Sequence, residues 1–324
     1  MHKKWFKFFA AAAFAAGTTA VLPAVADSAS DYPSKPVTIV VPYSPGGTTD
    51  QAARALAENL SRQFKQPVII ENKPGAGASM GVLDMLKTPP DGYHLTLTPV
   101  GIFRQPHLQA VRYDPVRDLA FVAAFLEYDF FVTVPADSPF KSVKEIVEYA
   151  RQHPGEISYG TPGRFSGNHT VMAMLSKQYG VKFTHLPFKG DSDSINALLG
   201  GHIQMAVITN GVLPFMRSGK VRVLASAGAV ANPFFEVPTL KELGYDVVVP
   251  SPLGLAGPKD LPKPIVDKLD RAIKQALDDP AFKKLMDANG VRTLYMDSEA
   301  YSQYAQKAFV DEEKVVKNLG MATD

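Results

Sequence analysis

The chain has 324 residues, a formal net charge of +2, 46% hydrophobic residues and no cysteine. A balance so near neutrality gives no global basic field for nucleic acid or anionic lipid. The lack of cysteine removes disulfides, cysteine metal sites, cysteine nucleophiles and a lipid-bearing N-terminal cysteine, so the fold must rest on core burial.

Residues 1–26 read MHKKWFKFFAAAAFAAGTTAVLPAVA: Lys3, Lys4 and Lys7 precede an alanine-rich apolar run, and Ala24-Val25-Ala26 forms a small-residue cleavage pattern. Gly17, Thr18 and Thr19 interrupt the run, which falls short of the roughly 20 apolar residues of a membrane helix. The segment reads as an export signal cleaved after Ala26. Without the leader lysines the mature chain, from Asp27, is slightly acidic, long enough for about two domains, and expected to be a soluble exported protein with no membrane insertion after cleavage.

From Lys35 the pattern alternates. KPVTIVVPYS (35–44) is a near-continuous apolar run of the kind found in parallel strands covered on both faces. Ala53, Leu56, Ala57, Leu60 and Phe64 then recur at helical spacing, with Thr48 and Gln51 placed as a capping box. PVIIEN (67–72), the glycine turn 73–79, a helix carrying Val82, Leu83 and Leu86, and YHLTLTPVG (93–101) complete a βαβαβ set. FVAAFLEYDFFVTV (121–134) is extended, and a second set follows. It comprises a strand at 130–135, a helix within 138–155, a strand and turn at 157–163, a helix at 168–179, a strand at 182–188, a short helix at 192–201 and strands at 203–208 and 221–228. After a second extended stretch (242–258), two amphipathic helices close the chain. One carries Ile265, Leu269, Ile273 and Leu277; the other spans 298–320 and ends at Gly320. The restart of the alternation predicts two α/β lobes, each with a central mixed or parallel sheet flanked by helices. The chain crosses between them twice, near 127–130 and 248–253, giving lobe 1 as 27–128 and 251–324 and lobe 2 as 129–250.

Three strand-to-helix turns stand out: YSPGGTTD (43–50), YGTPGRFSGNH (159–169) and FKGDSDS (188–194). Such turns lie at the carboxyl ends of parallel strands, where ligands bind. They present main-chain N–H groups and the positive end of a helix dipole, and Ser44, Thr48, Thr49, Thr161 and Ser166 add hydroxyl donors. The chemistry suits a small anion such as a carboxylate. Asp50, in a first helical turn, reads as a structural acid. GAGASMG (75–81) is a weak glycine match better taken as cleft backbone. Arg104 is placed either as an exposed loop residue or as a clamp for a carboxylate.

Enzyme motifs are poorly represented. GRFSG (163–167) puts its serine one place late for a nucleophile elbow, SGNH (166–169) is a coincidence of letters, and no phosphate loop or zinc-helix motif occurs. The histidines lack ligand spacing, and His169 reads as a surface or capping residue; no metal or cofactor is expected.

The blocks YPSKPVTIVVPYSPGGTTDQAARALAENL, QPVIIENKPGAGASMG, PPDGYHLTL, LPFKGDSDSINALLGGHIQMAV and SGKVRVLA resemble, in order, those of the Bug family, the extracytoplasmic substrate-binding proteins of tripartite tricarboxylate transporters. The resemblance implies a type II-like periplasmic binding protein that closes on an organic acid and delivers it to membrane permease subunits, working as a monomer. It places Ser44, Gly46, Gly47 and Thr48, with Thr161, Gly163, Ser166 and Asn168, around one ligand carboxylate, partly through ordered waters. Tyr43, Phe188 and Asp191 complete the expected set. The sequence departs from the family at Phe188, where Tyr is usual, and at Ser192 to Ser194, where Pro-Ala is common. It departs again at Arg104, which would suit a second carboxylate; Phe103, Phe165 and Phe188 would flank an aromatic ring. A periplasmic sensor and a secreted hydrolase are the alternative readings.

Overall fold

The computed structural model describes His2 and residues 31–320. Apart from His2, the expected export signal, with its cleavage after Ala26, lies outside the described residues. Two mixed sheets organise the chain. The first contains β1 (Val37–Val41), β2 (Val68–Asn72), β3 (His94–Thr98), β4 (Leu119–Glu127), β10 (Pro252–Pro258) and β11 (Arg292–Met296), in the order β11-β4-β10-β3-β1-β2. The second contains β5 (Phe131–Pro135), β6 (Ser158–Thr161), β7 (Thr184–Pro187), β8 (Met205–Ile208) and β9 (Val221–Ser226), in the order β7-β6-β8-β5-β9. Each sheet therefore forms the centre of one of the two expected lobes.

The apolar run at 37–41 becomes a central strand because both neighbours pair with it in parallel: Ile39 stands opposite Ile70 on one side and Leu95 on the other. Helix α1 (Thr48–Phe64) then buries Ala52, Ala53, Leu56 and Leu60, and Lys65 ends it in the left-handed conformation. Each fully buried leucine stabilises the packing by about 1.5–3 kcal/mol. The tail returns to the first sheet: α8 (Lys263–Asp278) buries Ile265, Leu269, Ile273 and Leu277, and α10 (Ser298–Leu319) buries Tyr301, Ala305, Ala308, Glu312 and Val316 on one stripe. Asp297 caps α10 by accepting the Ala300 N–H, and Gly320 closes it at φ +61°.

Four elements differ from the sequence expectation. The extended stretch after Leu119 begins as the nine-residue β4, sandwiched antiparallel between β10 and β11, so most of it is core strand. Residues 101–108 form a short helix, α3 (Gly101–Leu108), because Ile102, Phe103 and Leu108 find a buried face against α10. Finally, α9 (Pro280–Ala288), which buries Phe282 and Met286 one turn apart, and the half-buried edge strand β11 were not expected.

The two crossings lie side by side, with the Tyr128 N–H donating to Ser251 O at 3.0 Å. Asp129, just beyond, accepts from Asn232 Nδ2 (2.7 Å) and Arg292 (3.0 Å), tying lobe 2 to the start of β11. Among the described residues no helix is long and apolar enough to cross a membrane.

Candidate functional site

The lobes meet where the entrance to α1 faces α6 (Asp191–Leu199) and the end of β8. At the rim, Ser44 N–H donates to Lys189 O (3.0 Å), Ser44 Oγ donates to Asp193 Oδ2 (2.8 Å), and Ser192 Oγ donates to Pro45 O (2.9 Å). Deeper, Gly211 N–H donates to Thr48 Oγ1 at 2.7 Å, and the hydroxyls of Thr48 and Thr209 are 2.6 Å apart. The Thr209 hydroxyl also meets Asp191 Oδ2, which accepts the Thr209 N–H at 3.3 Å. A hydroxyl has one proton to give. With that of Thr209 given to the carboxylate, Thr209 accepts from Thr48, and one chain of donors runs from Gly211 through Thr48 and Thr209 to Asp191, crossing the lobe boundary twice.

These contacts close the cleft to a cavity of about 20 Å³, room for about one water molecule. Lobe 1 contributes Tyr43, Ser44, Gly47 and the first turn of α1 (Thr48, Thr49, Asp50), with Pro99 and Val100 after β3. Tyr128 and Ser251 come from the crossings. The other wall is Phe130, Pro162, Asp191, Thr209 and the first residues of α5 (Gly167–Tyr179), Gly167 and Asn168. Three helix starts thus border one small space. The first N–H groups of a helix have no partner within it, and the dipole leaves them partly positive. Among the described residues no lysine, arginine or histidine lines the cavity.

The geometry of the first turn follows from its residues. Gly46 sits at φ +87°, where glycine carries no Cβ penalty, and its N–H donates to Asp50 Oδ2 at 2.9 Å. The expected capping box is absent: Gly47 is the N-cap, Gln51 Nε2 donates to Gly46 O (2.9 Å), and Thr48 spends its hydroxyl on the opposite lobe.

Of the residues singled out from the sequence, Tyr43, Ser44, Gly47, Thr48, Asn168 and Asp191 line the cavity. Asn168 is held by its Nδ2 donating to Val207 O at 2.9 Å. Six others stand behind it. Gly46 has its N–H committed to Asp50. Thr161 lies with its hydroxyl 2.7 Å from His185 Nε2 and 3.0 Å from Gly163 O. Gly163, at φ +156°, shapes the same loop. Ser166 is the N-cap of α5, its Oγ accepting the His169 N–H (3.3 Å). Phe188 packs over Gly160 and joins the cluster around Ile203. Arg104 is neither exposed nor facing the cavity. It is fully buried on α3, donating through Nε to Glu312 Oε2 (2.5 Å) and through Nη1 to Phe165 O (2.9 Å). Phe103 packs with Phe121 and Tyr304, and Phe165 with Leu108 and Val316, so the aromatic walls of the cavity are Tyr43, Tyr128 and Phe130 instead. The turn at 75–81 also stands off the cavity, and a Cβ on Gly77 would lie 2.9 Å from Arg164 O of the other lobe.

The electrostatics single out Asp191. Burial pushes its carboxyl from 3.8 up to about 6, and the Thr209 hydrogen bonds offset this only in part. Its Oδ1, and the hydroxyl of Ser251, are buried without a partner among the described residues. Burial also raises the Asp50 carboxyl, but Arg54 Nε, the Gly46 N–H and Asn72 Nδ2 outweigh it and leave the pKa below the ordinary value. Burial, reinforced by the Asp191 charge, raises the Tyr43 phenol and keeps it neutral. His169 and His185, stacked 4.2 Å apart behind the α5 start, are pushed down by burial to about 3 and about 4.

Tyr128, Phe130, Thr209 and Ser251 were not anticipated. Thr209 follows β8 at a strand's carboxyl end, the signal that marked the other turns, but the turn after it holds a single glycine before a five-residue helix. Tyr128, Phe130 and Ser251 come from the crossings, whose side-chain directions are set by tertiary packing alone. Among the described residues no cluster of three or more His, Asp or Glu side chains could hold a metal.

Residues 52–321 match the family model described as the tripartite tricarboxylate transporter family receptor. A "UPF0065 protein in gbd 5'region" of Cupriavidus necator is 40% identical over 320 residues, 97% of this chain and 98% of that one. The solved periplasmic binding protein BugD has a TM-score of 0.86 at 29% identity, over 90% of this chain and all of that one. MatC from Rhodopseudomonas palustris, solved with bound malate, has a TM-score of 0.82 at 27% identity, covering 88% of this chain and 100% of that one.

Proposed function

The chain belongs to the tripartite tricarboxylate transporter receptor family and is a periplasmic solute-binding protein rather than an enzyme, and from that premise we propose that it captures a small organic acid between its lobes for delivery to a membrane permease. The observation that carries this reading is the meeting of three helix starts at one interlobe cavity without a cationic side chain on its wall. Partly positive main-chain donors of this kind suit a carboxylate. The bound malate of MatC agrees in chemical class.

The mechanism is ligand-dependent closure. Thr48 and Thr209 hold the lobes together, and the crossings at Tyr128 and Ser251 are the natural hinge. A ligand that contacts both walls favours the closed state by as much as it binds that state better than the open one. A cavity of about 20 Å³ cannot hold an organic acid, so the loaded cleft must be wider than the state described here.

A thermal-shift screen tests the assignment, using mono-, di- and tricarboxylates, aromatic acids and amino acids. A true ligand at a hundred times its Kd stabilises by about 2.7 kcal/mol, easily seen as a rise in Tm. If no carboxylate in the panel moves the transition, the reading fails.

A further inference from the structure

Resting on the carboxylate reading and narrowing it, we propose that Asp191 determines specificity by receiving the ammonium group of the ligand, so that the preferred ligand is an amino-bearing carboxylate rather than a plain di- or tricarboxylate. The two carboxylates on the cavity wall have opposite circumstances. Asp50 is saturated by Arg54, Asn72 and Gly46. Asp191 is more than nine-tenths buried, has Oδ2 engaged by Thr209 and no cation beside it, and its Oδ1 is an acceptor without a donor. An unpaired buried charge is costly, and a ligand that neutralises it recovers that cost. A ligand carrying only carboxylates would instead bring like charge to Asp191 with no lysine, arginine or histidine on the wall to offset it. A zwitterion meets both demands at once: its acid group on the helix starts and the orphaned Ser251 hydroxyl, its ammonium on Asp191 Oδ1.

The same residue would couple binding to motion. Closing the empty cleft strips water from Asp191 and gives nothing back; closing on an ammonium supplies the missing partner.

Titration calorimetry with matched pairs tests the proposal: serine, aspartate, glutamate and phenylalanine against 3-hydroxypropanoate, succinate, glutarate and 3-phenylpropanoate. The groups facing Asp191 are Tyr43 and Tyr128, both held neutral by burial, and the ion-paired Asp50, so Asp191 alone is expected to titrate near neutrality. At pH 7.5 the member of a pair with the amine should bind at least tenfold tighter, and Asp191→Asn should erase most of that ratio. The wild-type ratio stands even if the variant does not fold. Equal or tighter binding of the amine-free acids overturns the proposal while leaving the carboxylate reading intact. Amine-free binding should strengthen from pH 7.5 to pH 5 in the wild type but not in Asp191→Asn, because protonation of Asp191 removes the like charge that opposes a plain carboxylate; amine-free binding that is unchanged over this range overturns the proposal. Binding of neither class overturns both readings.

Discussion

Asp50 and Asp191 occupy nearly equivalent places, each in the first turn of a helix, on opposite walls of one cavity. Helix dipoles favour both, yet one carboxyl lies below its ordinary pKa and the other rises to about 6. Burial pushes both up; at Asp50 a guanidinium, an amide and a main-chain N–H outweigh it, whereas Asp191 has one threonine. A third acid, Glu312, extends the comparison, because it is also buried but is matched by Arg104. Buried carboxylates with a cation organise the fold; the one without is available for a ligand.

The largest expected effect comes from taking the cation away. Arg104→Ala leaves Glu312 unpaired and the Phe165 carbonyl without its donor, and should cost about 3–5 kcal/mol in urea unfolding at pH 7. The double variant Arg104→Met with Glu312→Leu should recover most of that loss. If the single variant costs under about 1 kcal/mol, Glu312 does not need its partner and the contrast with Asp191 loses its basis. Next in size, Asp191→Asn should stabilise the unliganded protein at pH 7.5. A rise from 3.8 to about 6 corresponds to about 3 kcal/mol, an upper bound because an open cleft would rehydrate the carboxyl. No gain in Tm would mean that Asp191 is not desolvated in solution.

The sequence carried the alternation of strands and helices, because 37–41 and the stripe from Ile265 to Leu277 bury faces that their spacing already displays. The turn 43–50 was legible for the same reason, as its glycines and hydroxyls are chemistry that a turn at a helix start requires. Arg104 was misread because a charged residue next to a strand end says nothing about an acid 208 positions later that neutralises it. Thr48 was misread as a cap because its partner, Thr209, comes from the other lobe. Asp191 was picked out, but that one of its oxygens lacks a donor is a tertiary fact: it depends on Thr209 arriving and on no cation arriving.

The smallest effect is expected at Asp50, and its sign separates it from Asp191. A carboxyl whose folded pKa is depressed contributes stability that is present above its unfolded value near 4 and is lost as pH falls through the folded value. Asp191 runs the other way: its raised pKa makes the folded state most favoured below about 4, with the advantage lost as pH rises through about 6. Asp50→Asn keeps an acceptor for the Gly46 N–H but gives up the charge that strengthens it. The Arg54 side of the pair is half-exposed and adds little. The variant should therefore lose about 1–2 kcal/mol at pH 7, by urea unfolding, and the difference from wild type should shrink toward pH 3. For Asp191→Asn, the stabilisation should grow between pH 4 and pH 7. Parallel curves for the two variants would show that these acids experience the same environment, and the distinction between a structural and a ligand-facing carboxylate would fall.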